Sequence, residues 1–244
     1  MNHTFLPESV PYNKDKDMNA LVQHHSQLLG SDKDIAALAD AEKAKLLVLS
    51  DSHGNNNVTE SIIRGFGPDC QALIFTGDGI WDILNTIKTA SADKNLFAAL
   101  PPVIGLVRGN GDYDTYTVYS DNGNIPVQVA ETQYLTAASH RVLFMHGHRH
   151  SVDFSTDNLF KTATANNADL VFFGHTHRPY KREKNQILML NPGSCSRPRG
   201  NFPPTFAVVT VSKTNAPKIQ HYAIEGSLFS GFTYRETEIT SSLY

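Results

Sequence analysis

Five short apolar runs in this chain each end in residues able to bind a hard or borderline divalent cation. Asp51 and His53 follow residues 45–50, "KLLVLS", and Asp78 follows 70–76, "CQALIFT". Asn110 and Asp112 follow 102–108, "PVIGLVR". His146 and His148 follow 141–145, "RVLFM", and His175 and His177 follow 169–173, "DLVFF". Imidazole is the commonest metal ligand in proteins. A single D-x-H or G-D carries little, because such pairs are ordinary turn signals. H-x-H carries more, and the recurrence at five strand ends decides. Oxygen and imidazole donors without thiolate suit Mn²⁺, Fe²⁺, Ni²⁺ or Zn²⁺. Seven candidates (Asp51, His53, Asp78, Asn110, His146, His175 and His177) are too many for one tetrahedral ion. They fit two ions ~3.5–4 Å apart with a shared carboxylate, the arrangement that clamps the oxygens of an in-line phosphoryl displacement.

The elements that position these residues follow from the apolar pattern. The five runs are rich in Val, Ile, Leu and Phe and do not alternate with polar residues, as expected of strands buried on both faces. Between them, residues 57–67, 80–100 and 151–167 read as helices, with Asn57 and Ser155 as candidate caps. Strands alternating with helices predict an α/β layered fold. Successive ligand positions lie 27, 32, 36 and 29 residues apart (Asp51, Asp78, Asn110, His146, His175), close to one strand-helix-strand unit of ~30 residues. Ligands of open α/β sheets bind at the carboxyl ends of the strands, so these residues are expected to converge on one edge of one sheet. Residues 186–194, 205–212 and 218–224 read as antiparallel, half-exposed strands, with Ile219, His221 and Ala223 alternating in the last. Residues 1–44 form an N-terminal extension distinct from a domain at 45–244. In the extension, 18–30 is expected to be a helix, with Leu21, Leu28 and Leu29 at helical spacing and Gly30 as its stop. Residues 31–45 are expected to form a second, capped by Ser31 or Asp32.

Bulk properties narrow the function classes. The chain has 244 residues, 40% of them hydrophobic, enough for one sizeable core. A net charge of -3 and a pI of about 6.4 give no clustered basic surface for nucleic acid. Two cysteines make no disulfide framework and favour a reducing compartment. The N-terminus has no secretory apolar region, and no run reaches the ~18 apolar residues of a membrane span. The expected location is the cytoplasm, with no membrane association.

The order D-x-H, G-D, G-N-x-D, H-G-H, G-H-x-H resembles the metallophosphoesterase (calcineurin-like) superfamily. Residues 191–199, "NPGSCSRPR", are similar to the YfcE-type phosphodiesterases in particular. The resemblance spans roughly residues 45–224 and implies a four-layer α/β/β/α sandwich of two mixed sheets. It implies that Asp51, His53 and His177 hold one metal, that Asn110, His146 and His175 hold a second, and that Asp78 bridges them. The implied cofactors are two divalent ions, Mn²⁺ foremost, with Ni²⁺, Fe²⁺ or Zn²⁺ as alternatives. A bridging hydroxide would attack phosphorus, with both ions and the ligand Asn110 at the reacting centre. Asn55 falls at a polar position often near such sites.

One departure concerns the proton donor. Many members read G-N-H-[DE], whereas this chain has Gly111 in place of that histidine. His148 or a metal-held water then becomes the candidate donor to the leaving oxygen, and Asp112 is expected to orient a ligand. Arg197 and Arg199 are candidate phosphate ligands, while Trp81 and Tyr113 follow metal motifs as candidate cleft residues. Cys195 is expected to be an inert small residue. The implied substrate is a small phosphodiester, with a phosphomonoester as the alternative. A scaffold role, as for the retromer subunit of this fold, is the rival from another class. The extension also offers a surface for a homo-oligomer.

Overall fold

The computed structural model describes residues 22–120 and 123–239. The strands are β1 (Lys43–Leu49), β2 (Ala72–Phe75), β3 (Val103–Leu106), β4 (Thr115–Ser120), β5 (Gly123–Gln128), β6 (Thr132–Ala137), β7 (His140–Met145), β8 (Leu170–Phe172), β9 (Pro179–Lys184), β10 (Ile187–Pro192), β11 (Thr205–Ser212), β12 (Lys218–Ser227) and β13 (Gly231–Thr237). The helices are α1 (Asp32–Asp40), α2 (Asn56–Phe66), α3 (Ile80–Ala90), α4 (Lys94–Ala99) and α5 (Asp157–Ala165).

Two mixed sheets form the centre. One has six strands in the order β13-β12-β11-β1-β2-β3, the other five in the order β6-β7-β8-β10-β9. Strands β1, β2 and β3 run parallel, as do β7, β8 and β10. The lack of alternation in the sequence has a direct explanation. On β1, Leu46 and Val48 pack with Phe144 of β7 and Phe172 of β8 between the sheets, while Leu47 and Leu49 pack under Ile62 and Ile83 of the helices α2 and α3. On β7, Leu143 and Met145 face α5 through Leu159 and Ala163. Both faces of each central strand are therefore buried, each such side chain contributing roughly 1.5–3 kcal/mol. The layers run helices α2–α4, first sheet, second sheet, helix α5, which is the α/β/β/α sandwich expected.

Several expectations are corrected. The metal-ligand motifs do not share one sheet: three follow β1–β3 and two follow β7 and β8, so they meet where the carboxyl ends of two facing sheets come together. The helix expected over 18–30 is not helical where it is described. Residues 22–30 make a tight turn with a Gln23–Leu29 bridge, and Leu29 exchanges two backbone hydrogen bonds of 2.8 Å with Ile104 of β3. Pairing at a sheet edge and burial of Leu28 and Leu29 override local helical spacing. Residues 18–21 lie outside the described residues. The helix expected over 80–100 is two, because Asp93 accepts the amides of Asn95 and Leu96 and caps α4. Asn55, rather than Asn57, caps α2, whereas Ser155 does accept the Asp157 amide at the start of α5. Strand β10 pairs parallel with β8 as well as antiparallel with β9, and both β10 and β11 are almost wholly buried, so the half-exposed reading holds only for β12 and the purely antiparallel one for β11 and β12. Strands β4–β6, β9 and β13 went unpredicted. The helix expected over 31–45 is present only as α1, with Ser31 accepting the Asp34 amide at 3.1 Å; it stops at Asp40, and residues 43–45 already belong to β1. Among the described residues no helix is long and apolar enough to cross a membrane.

Candidate metal centre

Each motif begins where a central strand ends and the chain turns sharply. Asp51, His53, Asp78, His175 and His177 all have left-handed backbone, with φ between +46° and +69°. Asp and His tolerate this region better than most residues, but each still carries some strain, and such strain clusters at functional sites. Glycines give the space. A Cβ on Gly79 would lie 2.0 Å from Ser52 Oγ, and one on Gly109 would lie 2.0 Å from Asp78 Oδ1.

Two groups of donors result: Asp51, His53 and His177, and Asp51, Asp78 and His146, each with ligand atoms within 4.8 Å of one another. His177 Nε2 lies 3.0 Å from His53 Nε2 and 3.3 Å from Asp51 Oδ1. Asp78 Oδ2 lies 3.8 Å from His53 Nε2 and 3.6 Å from His146 Nε2, so it faces a ligand of each predicted set. Asp51 Oδ1 does so too, at 3.9 Å from both His53 and His146. The other predicted ligands adjoin this cluster. His175 Nδ1 lies 3.1 Å from Asn110 Oδ1, and its ring centroid is 5.2 Å from that of His146.

The donor set fits divalent cations on its own chemistry. His146 Nδ1 donates to the Thr76 carbonyl at 2.7 Å, and His177 Nδ1 donates to the Arg197 carbonyl. A carbonyl only accepts, so in the neutral ring the proton is on Nδ1 and Nε2 presents a lone pair. His146 Nε2 and Asp51 Oδ1 are buried without any hydrogen-bond partner. Uncompensated buried acceptors are costly, and a cation between them removes the cost. Burial raises the Asp51 carboxyl, but the His177 ring 3.3 Å away and the charge that His146 and His177 carry when protonated outweigh it and hold it below its ordinary value. Burial depresses His177, yet the adjacent Asp51 carboxylate favours its protonated form and leaves it raised overall. His53 is lowered, chiefly by burial, against the pull of Asp51 and Asp78.

Other groups hold this arrangement. Asp112 accepts from the amides of Asp78, Gly79, Ile80 and Gly109 at 2.6–3.1 Å and from the Tyr116 hydroxyl at 3.2 Å. Its carboxylate is thereby committed to clamping the loops after β2 and β3, and it acts as a positioning residue rather than as a group on the reacting atoms. Gly111 donates its amide to Asp78 Oδ1 at 2.8 Å, leaving Oδ2 toward the imidazoles. His148 lies 5.5 Å from the His146 ring and 6.2 Å from that of His175, with Nδ1 buried and unpartnered. Burial, then the neighbouring histidines, lowers it. Asn55 Oδ1 accepts the Val58 amide at 3.4 Å as a helix cap. The Arg197 and Arg199 side chains are exposed, and their charges reach His53 and His177 respectively. Both cysteines are free and buried, and burial keeps the Cys195 thiol protonated.

Three supports were not foreseen. Asp153 Oδ2 accepts from His175 Nε2 at 3.0 Å. Asp82 receives the Ser52 hydroxyl and the Gly54 amide, bracing the turn between Asp51 and His53. Asn191 donates to the Gly174 carbonyl at 2.8 Å and to Thr176 Oγ1 at 3.1 Å, fixing the turn that carries His175 and His177. Asn191 had a signal in the NPGS stretch, whereas Asp82 and Asp153 lie in or before helices where an acidic residue is unremarkable.

A model of the calcineurin-like phosphoesterase superfamily domain matches residues 44–214. The chain belongs to that superfamily. Its relatives include the probable metallophosphoesterase YsnB of Bacillus subtilis, 27% identical over 192 residues, covering 79% of this chain and 98% of that protein. The phosphodiesterase YfcE of Escherichia coli K12 is 28% identical over 170 residues, covering 68% of this chain and 86% of its own. Among solved structures, Vps29 of Chaetomium thermophilum shares the fold with a TM-score of 0.57, at 17% identity over 80% of this chain and 95% of that one. This calcineurin-like phosphoesterase thus carries candidate ligands for the divalent metals its family uses, on the fold its relatives share.

Proposed function

We propose that this calcineurin-like phosphoesterase is a phosphodiesterase with a site for two divalent metals, acting on small phosphoesters. The observation that carries the reading is the pair of donor groups joined at Asp51, with Asp78 Oδ2 facing His53 and His146 and with lone pairs of Asp51 Oδ1 and His146 Nε2 buried and unsatisfied. The name of the relative YfcE supports a diester over a monoester. Asp51, His53 and His177 would hold one ion, and Asn110, His146 and His175 the other, with Asp78 shared. Bound there, divalent cations supply Lewis acidity toward phosphoryl oxygens and toward water. The chain's own residues do the rest. Asp112 and Gly111 fix the orientation of Asp78, and the Thr76 and Arg197 carbonyls fix the imidazole tautomers. Arg197 and Arg199 attract the anionic substrate, and His148 donates a proton toward the leaving oxygen.

The test is hydrolysis of bis(p-nitrophenyl) phosphate by metal-stripped protein before and after Mn²⁺ addition, with His146→Ala alongside. Metal-restored turnover that disappears in His146→Ala is the expected result. Folded protein with no turnover in Mn²⁺, Ni²⁺, Fe²⁺ or Zn²⁺ would refute it. That outcome would favour the scaffold reading, for which the Vps29 fold is the precedent, although all seven candidate ligands are retained here.

A further inference from the structure

We infer that Trp81, Tyr113 and Tyr116 form a stacking platform beside the metal centre, so that the substrate is a phosphoester bearing a planar aromatic group, aryl or nucleoside. The inference rests on the phosphoesterase reading and names its substrate class. Trp81 lies three residues after Asp78, and Tyr113 three after Asn110, so both leave the ligand loops directly. Trp81 is 41% exposed and Tyr113 75%, which core packing does not explain. The Trp81 ring stacks on Tyr116 at 5.9 Å between centroids and 20° between planes, and Tyr113 meets Tyr116 edge-on at 6.1 Å.

The platform is anchored. Tyr116 packs against the core below the first sheet's helices, and its hydroxyl donates to Asp112 Oδ1 at 3.2 Å while accepting the Tyr113 amide at 3.0 Å. Asp112 in turn holds the Asp78 amide at 2.6 Å. The rings and a predicted bridging carboxylate are therefore fixed to one another through a single carboxylate. A phosphorus held over Asp78 would carry its ester substituent within reach of these rings. Preordered aromatic faces favour flat, polarizable partners, and base–aromatic stacking is sequence-tolerant because every base has a π-face.

Trp81 is the sole tryptophan, so its fluorescence reports the platform directly. On Mn²⁺-loaded protein, the probes are adenosine 5′-monophosphate, ribose 5-phosphate, phenyl phosphate and methyl phosphate. The expected result is quenching by the two aromatic probes, with adenosine monophosphate binding about ten-fold more tightly than ribose 5-phosphate. A similar preference for phenyl over methyl phosphate assigns the platform to any flat ring, whereas a preference confined to the adenosine pair assigns it to a nucleobase. By calorimetry, Trp81→Leu and Tyr113→Ala should each reduce the aromatic preference to about two- to three-fold. Equal affinity for adenosine monophosphate and ribose 5-phosphate overturns the inference, as does a preference unmoved in both variants. Absence of binding by all four probes, together with absent diester turnover, removes the phosphoesterase reading and this inference with it.

Discussion

The two halves of the candidate metal centre are built differently. Asp51 and His177 are buried: Asp51 accepts the His175 amide and the Ser50 hydroxyl, and His177 donates to the Arg197 carbonyl, while His53 is half-buried. On the other side His146 is equally buried, but Asn110 is exposed, and His175 is held by Asn110 and the exposed Asp153. The first half is preorganised by the sheet ends, and the second relies on loops. Preorganised donors bind more tightly because ordering costs are met in folding. The difference predicts unequal metal affinity, tighter on the Asp51 side.

The largest effect should come from Asp51→Asn, since Asp51 belongs to both donor groups. Elemental analysis of purified protein should fall from about two metals per chain toward none, with diester turnover down by about 10³-fold or more. Retention of one metal would show that the second half stands alone. Asn110→Ala should be milder, with about one metal retained and turnover down about 10²-fold. If both variants lose metal equally, the proposed asymmetry is wrong. Asp153→Ala should weaken only the second metal, by about 10-fold in a calorimetric titration of stripped protein, because outer carboxylates orient ligating imidazoles. Asp153→Asn, which keeps a hydrogen-bonding oxygen, should recover most of that loss. His148→Ala should slow esters with poor leaving groups far more than aryl esters, and an equal loss on both would rule out proton donation from His148.

The same contrast marks what could be read in the sequence. Donor types after five apolar runs were legible, because strands buried on both faces leave an unambiguous composition and their ends are short. Asp112 was legible as an orienting residue, although not the five donors it gathers. The sharing of the ligands between two sheets was not, because a buried run does not say which sheet it joins. At sheet edges β6 alternates buried and exposed residues and β13 half-buried and exposed ones, and their polar positions hide them. The bridge from Leu29 to Ile104 was invisible because it is a long-range pairing that helical spacing cannot reveal. Asp153 touches His175 only through a turn whose left-handed Ser151 has no sequence signature.

The last effect tests the scaffold behind the turn that carries one ligand of each half rather than the ligands themselves. His221 on β12 is buried and its Nε2 donates to the Asn191 carbonyl at 2.9 Å; Asn191 in turn holds the His175–His177 turn. Burial is the main reason its pKa falls to about 4. The folded state thus prefers the neutral ring, while the unfolded chain takes up a proton near pH 6.5. Below that pH the unfolded state binds more protons, so stability present above about 6.5 is lost as pH falls toward about 4. The full shift corresponds to about 3 kcal/mol. Urea unfolding of metal-free protein at pH 7 and pH 4.5 should show a loss that His221→Asn reduces by about 2 kcal/mol, since an amide does not titrate there. An identical acid loss in the variant would place the titrating group elsewhere, and the turn carrying His175 and His177 would then owe nothing to a neutral His221.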